Sequence, residues 1–281
     1  MIRNKFLSLF KNSSFYILFS LILIFFVLVL IGYWYRSYYG IPKGVWLGEK
    51  KIGGLYPDEV RNLLLQAADD FVRWPEPARL DNKGNVTHEV WGRILDLSAT
   101  MELIESAKEG DVIEPVFCSI YPLLLSSEIL ALTRLLGVYH TFVGGTEDRY
   151  HNIKLAGSLI NFTLLMPNEV FSFNQKVGEP TPERGFKRAP IIIKDKMVLG
   201  YGGGICQVSS TLYNAALQAN LKIIERHTHS KKVNYVPPGK DATVAYDYLD
   251  LKFINSLEYP ILIRVWLRGN KLIIGIYGRE V

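Results

Sequence analysis

From Phe15 to Tyr35 the chain reads FYILFSLILIFFVLVLIGYWY, apolar throughout and without a charge. At about 1.5 Å per residue, a helix of this length crosses a hydrocarbon core of roughly 30 Å. Beyond Gly40 the pattern changes to short, interrupted periodicities. Asp58 and Glu59 precede Val60, Leu63, Leu64 and Ala67, which predicts an amphipathic helix with Asp58 at its N-cap. After Pro75 and Pro77, the pieces around Leu80, Val86 to Trp91 and Ile94 to Leu97 read as short strands, with Asn82-Lys83-Gly84 as a turn. A helix over Ala99 to Lys108, closed by Gly110, completes a small α+β module. Residues 116–138 read as a connector with Pro122 and a helical stretch through Leu135.

Farther along, Gly202, Gly203 and Gly204 lead into Val208, Thr211, Leu212, Ala215, Ala216 and Ala219 at helical spacing. This predicts a helix with one buried face, beginning near Cys206 and ending near Asn220. The segment LKIIERH that follows, Leu221 to His227, reads as a strand. The whole is α+β, with a single N-terminal transmembrane helix, a small α+β module and a C-terminal α+β domain. The expected divisions are 1–36 for cytoplasmic tail and anchor, 40–115 for the module, 116–138 for the connector and 139–281 for the last domain.

Charge sharpens the first of these divisions. The 281 residues carry 32 Lys plus Arg against 27 Asp plus Glu, with a pI near 9.0, which invites a nucleic-acid reading. Arg3, Lys5, Lys11 and Arg36 lie in the first 36 residues with no acidic residue, leaving 28 basic against 27 acidic groups downstream. The excess charge therefore belongs to the anchor, and no nucleic-acid partner is expected. Basic residues before the span and Tyr33, Trp34 and Tyr35 at its end predict an N-terminus inside the cell and residues beyond about 36 outside it. A cleaved signal peptide fits less well, because its apolar region is normally shorter and GYWYRSYYG has no small-x-small site.

No CxxC, zinc spacing, GxxxxGK[ST] or GxGxxG is present, so neither metal, cofactor nor nucleotide is expected. The two cysteines differ in surroundings. Glu114 is the charge nearest Cys118 in sequence and would raise its pKa, which suits an incidental thiol. Cys206 falls at a helix start, where unpaired N–H groups and the helix dipole favour a thiolate. The same N–H groups, with Gly203 and Gly204 allowing close approach, could hold an oxyanion. A helix from Gln207 to Asn220 rises about 21 Å. A strand from Leu221 to His227 covers about 23 Å. If the strand returns antiparallel, His227 and His229 arrive level with Cys206, both on one face. An Asp or Glu would orient the imidazole, and Asp241, Asp247 and Asp250 are the candidates. A simple hairpin at Val236-Pro237-Pro238-Gly239 places Asp247 or Asp250 across from His229. A structural Cys206, or a Cys118–Cys206 disulfide, is the competing reading.

The string IPKGVWLGEKKIGGLYPDEVRNLL, with GRILDLSAT and the helix before Gly110, resembles the module named for peptidoglycan binding that is often found beside VanW domains. FSFNQKVGEPTPERGFKRAPII, GGGICQVSSTLYNAAL, ERHTHS, VNYVPPGKDATVAY, DLKFIN and the closing IYG, in order, resemble the VanW family across about residues 140 to 278. The family takes its name from glycopeptide-resistance gene clusters. The resemblance implies a membrane-anchored, L,D-transpeptidase-like enzyme with Cys206 as nucleophile, acting on peptidoglycan tetrapeptide stems to make 3-3 cross-links. It favours His229 over His227 as base and Asp241 over Asp247, with Asp250 as a further motif aspartate. Gly203, Gly204 and Gln207 are then oxyanion or substrate contacts, and Arg226 is a partner for a stem carboxylate. Ser209 and Ser210 are expected to cap the helix. The alternative is a non-catalytic peptidoglycan-binding accessory protein linked to glycopeptide resistance.

Overall fold

A computed structural model of the chain describes residues 2–193 and 196–280. The fold is α+β, in two compact units made of residues 1–76 with 91–121 and of residues 77–90 with 122–281.

In the first unit, a single helix spans Ile2–Tyr39, and its apolar part, Tyr16–Tyr39, is long and apolar enough to anchor the chain in a membrane. Arg36 ends the span by donating from Nε to Gly54 O at 2.7 Å and pairing through Nη2 with Glu59 at 2.8 Å. Glu59 also accepts from the Tyr56 N–H at 2.8 Å, so the N-cap is Tyr56 and the Pro57–Gln66 helix starts two residues earlier than an Asp58 cap would give. Pro57 takes the first helical position, where its missing N–H costs nothing. A second helix covers Leu97–Glu105 rather than Ala99 to Lys108, because Asp96 caps it by accepting from Ala99 N at 2.9 Å. Val45, Val60, Leu64, Met101 and Ile104 form the buried core between these elements. Strand Gly92–Leu95 pairs antiparallel with Phe117–Ile120, which places Cys118 on a strand. The expected helix through Leu135 is instead a short helix, Ser126–Leu130, followed by a strand, Arg134–Phe142, both in the second unit.

The segment 77–90 packs within the second unit. Ala78 N donates to Leu124 O at 2.9 Å, Ser126 N donates to Glu89 at 2.8 Å, and Ala78 is buried with Leu124 and Ile129. The framework there is an antiparallel sheet in the order Arg134–Phe142, Lys271–Gly278, Ile261–Arg268, Thr163–Leu165. A smaller sheet orders Val170–Ser172, Lys252–Ile254 and Lys222–Glu225, and a hairpin joins Arg188–Ile193 to Lys196–Tyr201. Helices Glu147–Ile160 and Ile205–Gln218 complete the core, with Ile153, Val208, Leu212, Phe253 and Ile274 fully buried. A Cβ at Gly137 would lie 2.4 Å from Ala215 O, so the Ile205–Gln218 helix sits directly on the sheet backbone.

Candidate functional site

The glycines fix where the buried helix begins. Gly204 is its N-cap with φ +108°, a region that L side chains rarely adopt, and a Cβ there would lie 2.9 Å from Ile153 Cγ1. Gly203 has a Cβ position 2.7 Å from Pro190 O and accepts from Asn152 Nδ2 through its carbonyl. The turn thus closes without side chains and places Cys206 as the second helical residue. Among the described residues the amides of Gly204 and Cys206 have no hydrogen-bond partner, as expected at a helix start. Cys206 and Cys118 are both free thiols.

A polar stripe on an otherwise apolar helix brings the second half of the site to Cys206. Ser209 Oγ donates to Ala242 O at 2.6 Å, Ser210 Oγ accepts from Ala242 N at 2.9 Å, and Asn214 Nδ2 donates to Lys240 O at 2.6 Å. Both serines are buried and stitch residues 240–242 to the helix, so neither is a cap. Antiparallel bridging of His227 with Thr243 then sets the register, with Thr243 N donating to His227 O at 2.8 Å. His229 falls beside Asp241. Asp241 Oδ2 accepts from the His229 backbone N at 2.6 Å and lies 2.8 Å from its Nδ1. Asp241 Oδ1 accepts from Arg226 Nη2 at 3.2 Å, and the Arg226 Nε donates to Asp241 O at 2.7 Å. Arg226 also stacks on Tyr213, so its observed contacts go to that ring and the Asp241 loop.

The other candidates go elsewhere. His227 Nε2 lies 2.9 Å from Glu225 Oε1, because the strand ends at Glu225 and its period-two alternation does not continue to His229. Asp247 sits in a turn with φ +64°. Asp250 accepts from Ser172 Oγ at 2.6 Å and Asn174 N at 2.9 Å. Gln207 is buried; its Nε2 donates to Thr141 Oγ1 and Phe142 O, and its Oε1 accepts from Arg149 at 2.7 Å. It braces the helix start and also lines the cleft that holds Cys206. Arg149, from the first turn of the Glu147–Ile160 helix, had no motif to mark it, since it lies 58 positions before Gln207.

The electrostatics shift the Cys206 thiol and the His229 imidazole in opposite directions. Burial pushes the Cys206 thiol up, but a hydrogen bond with the His229 side chain, a backbone bond at Val244, the His229 charge and Thr243 outweigh it, and the thiol is held below its ordinary value. Burial likewise disfavours the His229 imidazolium, yet its hydrogen bonds to Cys206 and Asp241 raise its pKa above the ordinary imidazole value. Asp241 is lowered, its burial offset by the two bonds from His229. Tyr235 OH lies 3.4 Å from His229 Nε2. Cys206 and His229 line a cavity of about 570 Å³ together with Arg149, Tyr235, Thr243 and Val244. The arrangement holds the groups that nucleophilic acyl transfer requires: a thiol of lowered pKa, an imidazole of raised pKa, a carboxylate on the far imidazole nitrogen, and free amides at a helix start. Among the described residues no cluster of three or more metal-ligating side chains occurs.

Comparison with known proteins agrees with this region of the chain. Residues 148–277 match the family model described as VanW like protein. The uncharacterized protein YoaR of Bacillus subtilis is 42% identical over 230 residues, which cover 80% of this chain and 76% of that protein. The vancomycin B-type resistance protein VanW of Enterococcus faecalis is 33% identical over 132 residues, 45% of this chain and 48% of that one. No solved structure matches the chain. With the family model lying over the stretch that holds Cys206, His229 and Asp241, and with YoaR similar along most of both chains, the protein belongs to the VanW family.

Proposed function

We propose that the chain is a membrane-anchored, cysteine-dependent acyltransferase of the peptidoglycan L,D-transpeptidase kind. The observation that carries this reading is the line from Cys206 through His229 to Asp241, at a glycine-capped helix start in an open cleft. The Cys206 thiolate attacks the amide carbonyl carbon before the terminal D-residue of a tetrapeptide stem, forming a C–S bond. The amides of Gly204 and Cys206 stabilise the oxyanion. His229 gives its proton to the nitrogen as the C–N bond breaks, and D-alanine leaves. The side-chain amine of a neighbouring stem then loses a proton to His229, attacks the thioester and expels the thiolate, leaving a 3-3 cross-link. Water in place of the amine gives carboxypeptidase action.

In this reading the N-terminus is cytoplasmic, residues beyond about 36 face the wall, and residues 40–115 hold peptidoglycan. A role in the wall suits the resistance named for the Enterococcus relative. The test incubates the detergent-solubilised full chain with tetrapeptide muropeptides and follows products by mass spectrometry. Expected are 3-3 dimers and free D-alanine from the wild type and neither from Cys206→Ala. Equal products from both would overturn the mechanism, and binding without products from either would leave the accessory, wall-binding role.

A further inference from the structure

Among the described residues, the charged side chains lining the Cys206 cleft, apart from His229, are Arg149 and Lys232, and no Asp or Glu lines it. Arg149 is more than a member of the wall. Its Nη1 donates to Gly144 O at 2.8 Å and its Nη2 to Gln207 Oε1 at 2.7 Å, both neutral acceptors. Among the described residues it makes no ion pair, and three of its five N–H donors have no partner. Lys187, close by in sequence to the cleft's Pro190, is by contrast neutralised by Asp148 at 3.1 Å. A part-buried guanidinium without a counter-ion is unfavourable unless a ligand supplies the anion. Its charge interacts with Tyr235 and Cys206, and it lines the same cleft as the Cys206 sulfur. Its head is also held rigidly, since Gln207 is fixed by Thr141 and Phe142 and follows Cys206 in the chain.

We propose that Arg149 binds the terminal carboxylate of the acyl donor, selecting peptides that end one residue beyond the bond Cys206 attacks. In such a peptide the carboxylate lies about one residue length, ~3.8 Å, past the scissile amide. A planar fork with unpaired donors suits a carboxylate and would bind it bidentately. This rests on the acyl-transfer reading for its substrate, but the binding itself is testable without turnover. The role suggested for Arg226 thereby passes to Arg149, because Arg226 is ion-paired to Asp241 and is not among the described residues lining the cleft.

The test compares alkylation of Cys206 by iodoacetate and by iodoacetamide in the full chain, at a pH where the iodoacetamide rate is on its plateau. Arg149→Gln should lower the iodoacetate-to-iodoacetamide ratio roughly tenfold, the worth of one charge-assisted contact, while leaving the iodoacetamide rate near wild type. Arg149→Lys, which keeps the charge but not the fork, should retain most of the ratio. N-acetyl-D-alanine should protect wild-type Cys206 from iodoacetamide, N-acetyl-D-alaninamide should not, and Arg149→Gln should abolish the difference. An unchanged ratio, or equal protection by acid and amide, overturns the proposal. Slowing of both reagents alike in Arg149→Gln and Arg149→Lys would show a bracing role through Gln207 and overturn it too. If these effects appear while muropeptides yield no dimers, the transpeptidase reading fails and the anion site stands.

Discussion

Asp241→Asn removes one charge from the centre of the site without changing its shape. The Asp241 carboxylate accepts two bonds from His229, at 2.6 and 2.8 Å, and one from Arg226 at 3.2 Å, with its side chain only 11% exposed. The loop should survive, because Arg226 still reaches the carbonyls of Asp241 and Gly239. What changes is the charge opposite the imidazolium. A hydrogen bond to a charged group is worth about 1.5–3 kcal/mol, and 1.4 kcal/mol is tenfold in an equilibrium. Loss of that support lowers the His229 pKa and lets the Cys206 pKa rise. The thiolate population near pH 6 should therefore fall roughly ten- to a hundredfold. The assay is iodoacetamide labelling from pH 5 to 10, resolved by peptide mapping. Cys118 serves as internal reference, since its hydrogen bond to Asp96 at 3.4 Å pushes its thiol up. Wild-type Cys206 should label well below the pH at which Cys118 begins, and Asp241→Asn should move only the Cys206 profile upward. Coincident profiles for the two cysteines, or a Cys206 profile unmoved by the substitution, would refute the ion-pair argument.

Three further outcomes follow from the same geometry. Gly204→Ala forces a side chain into φ +108° and against Ile153, at about 1–2 kcal/mol for the backbone alone, so calorimetry should show a Tm lower by about 3–8 °C. Ser210→Ala leaves the buried Ala242 N–H without its acceptor, and denaturant titration should show a loss of about 1–3 kcal/mol, whereas a neutral result would mean the stitch is not needed. Glu225 is held down to about 2 by its bond to Lys252 and then by His227. Its folded pKa lies below the unfolded one, so its contribution is present above about pH 4.5 and is lost as pH falls toward 2. Glu225→Gln should flatten that part of the acid-unfolding curve, and an unaltered curve would assign the acid sensitivity to other groups.

How far the site was readable from sequence depends on how local each signal is. Cys206 was legible because the glycine turn, the thiol and the apolar period of the helix are contiguous in the chain. Asp241 was not legible from spacing. A hairpin tipped at Pro237-Pro238-Gly239 would have set Asp247 or Asp250 across from His229, but His227 pairs with Thr243, so the β-turn that Lys240 N closes on Pro237 O at 3.1 Å is not the centre of the pairing. The register comes instead from Ser209, Ser210 and Asn214, whose buried polar groups each need a partner, whereas the sequence alone suggested caps for the two serines. The family resemblance pointed to Asp241, where the spacing argument pointed away. Arg149 had no local signal, since its meaning depends on Gln207 and on the lack of acidic side chains among the described residues of the cleft, both properties of the folded chain. In the first unit the helices were legible, but residues 77–90 were not separable from their sequence neighbours, because Ala78 packs with Leu124 and Ile129 far along the chain.

The most direct measurement of the central claim is the intact mass of the protein after brief exposure to a tetrapeptide muropeptide, with the adduct located by peptide mapping. The account predicts a donor acyl group lacking its terminal D-alanine, attached to Cys206 as a thioester that neutral hydroxylamine removes, and faint or absent in Asp241→Asn at pH 6. Its appearance on another residue, or dimer formation with no adduct at Cys206 even when acceptor amines are withheld, would contradict it.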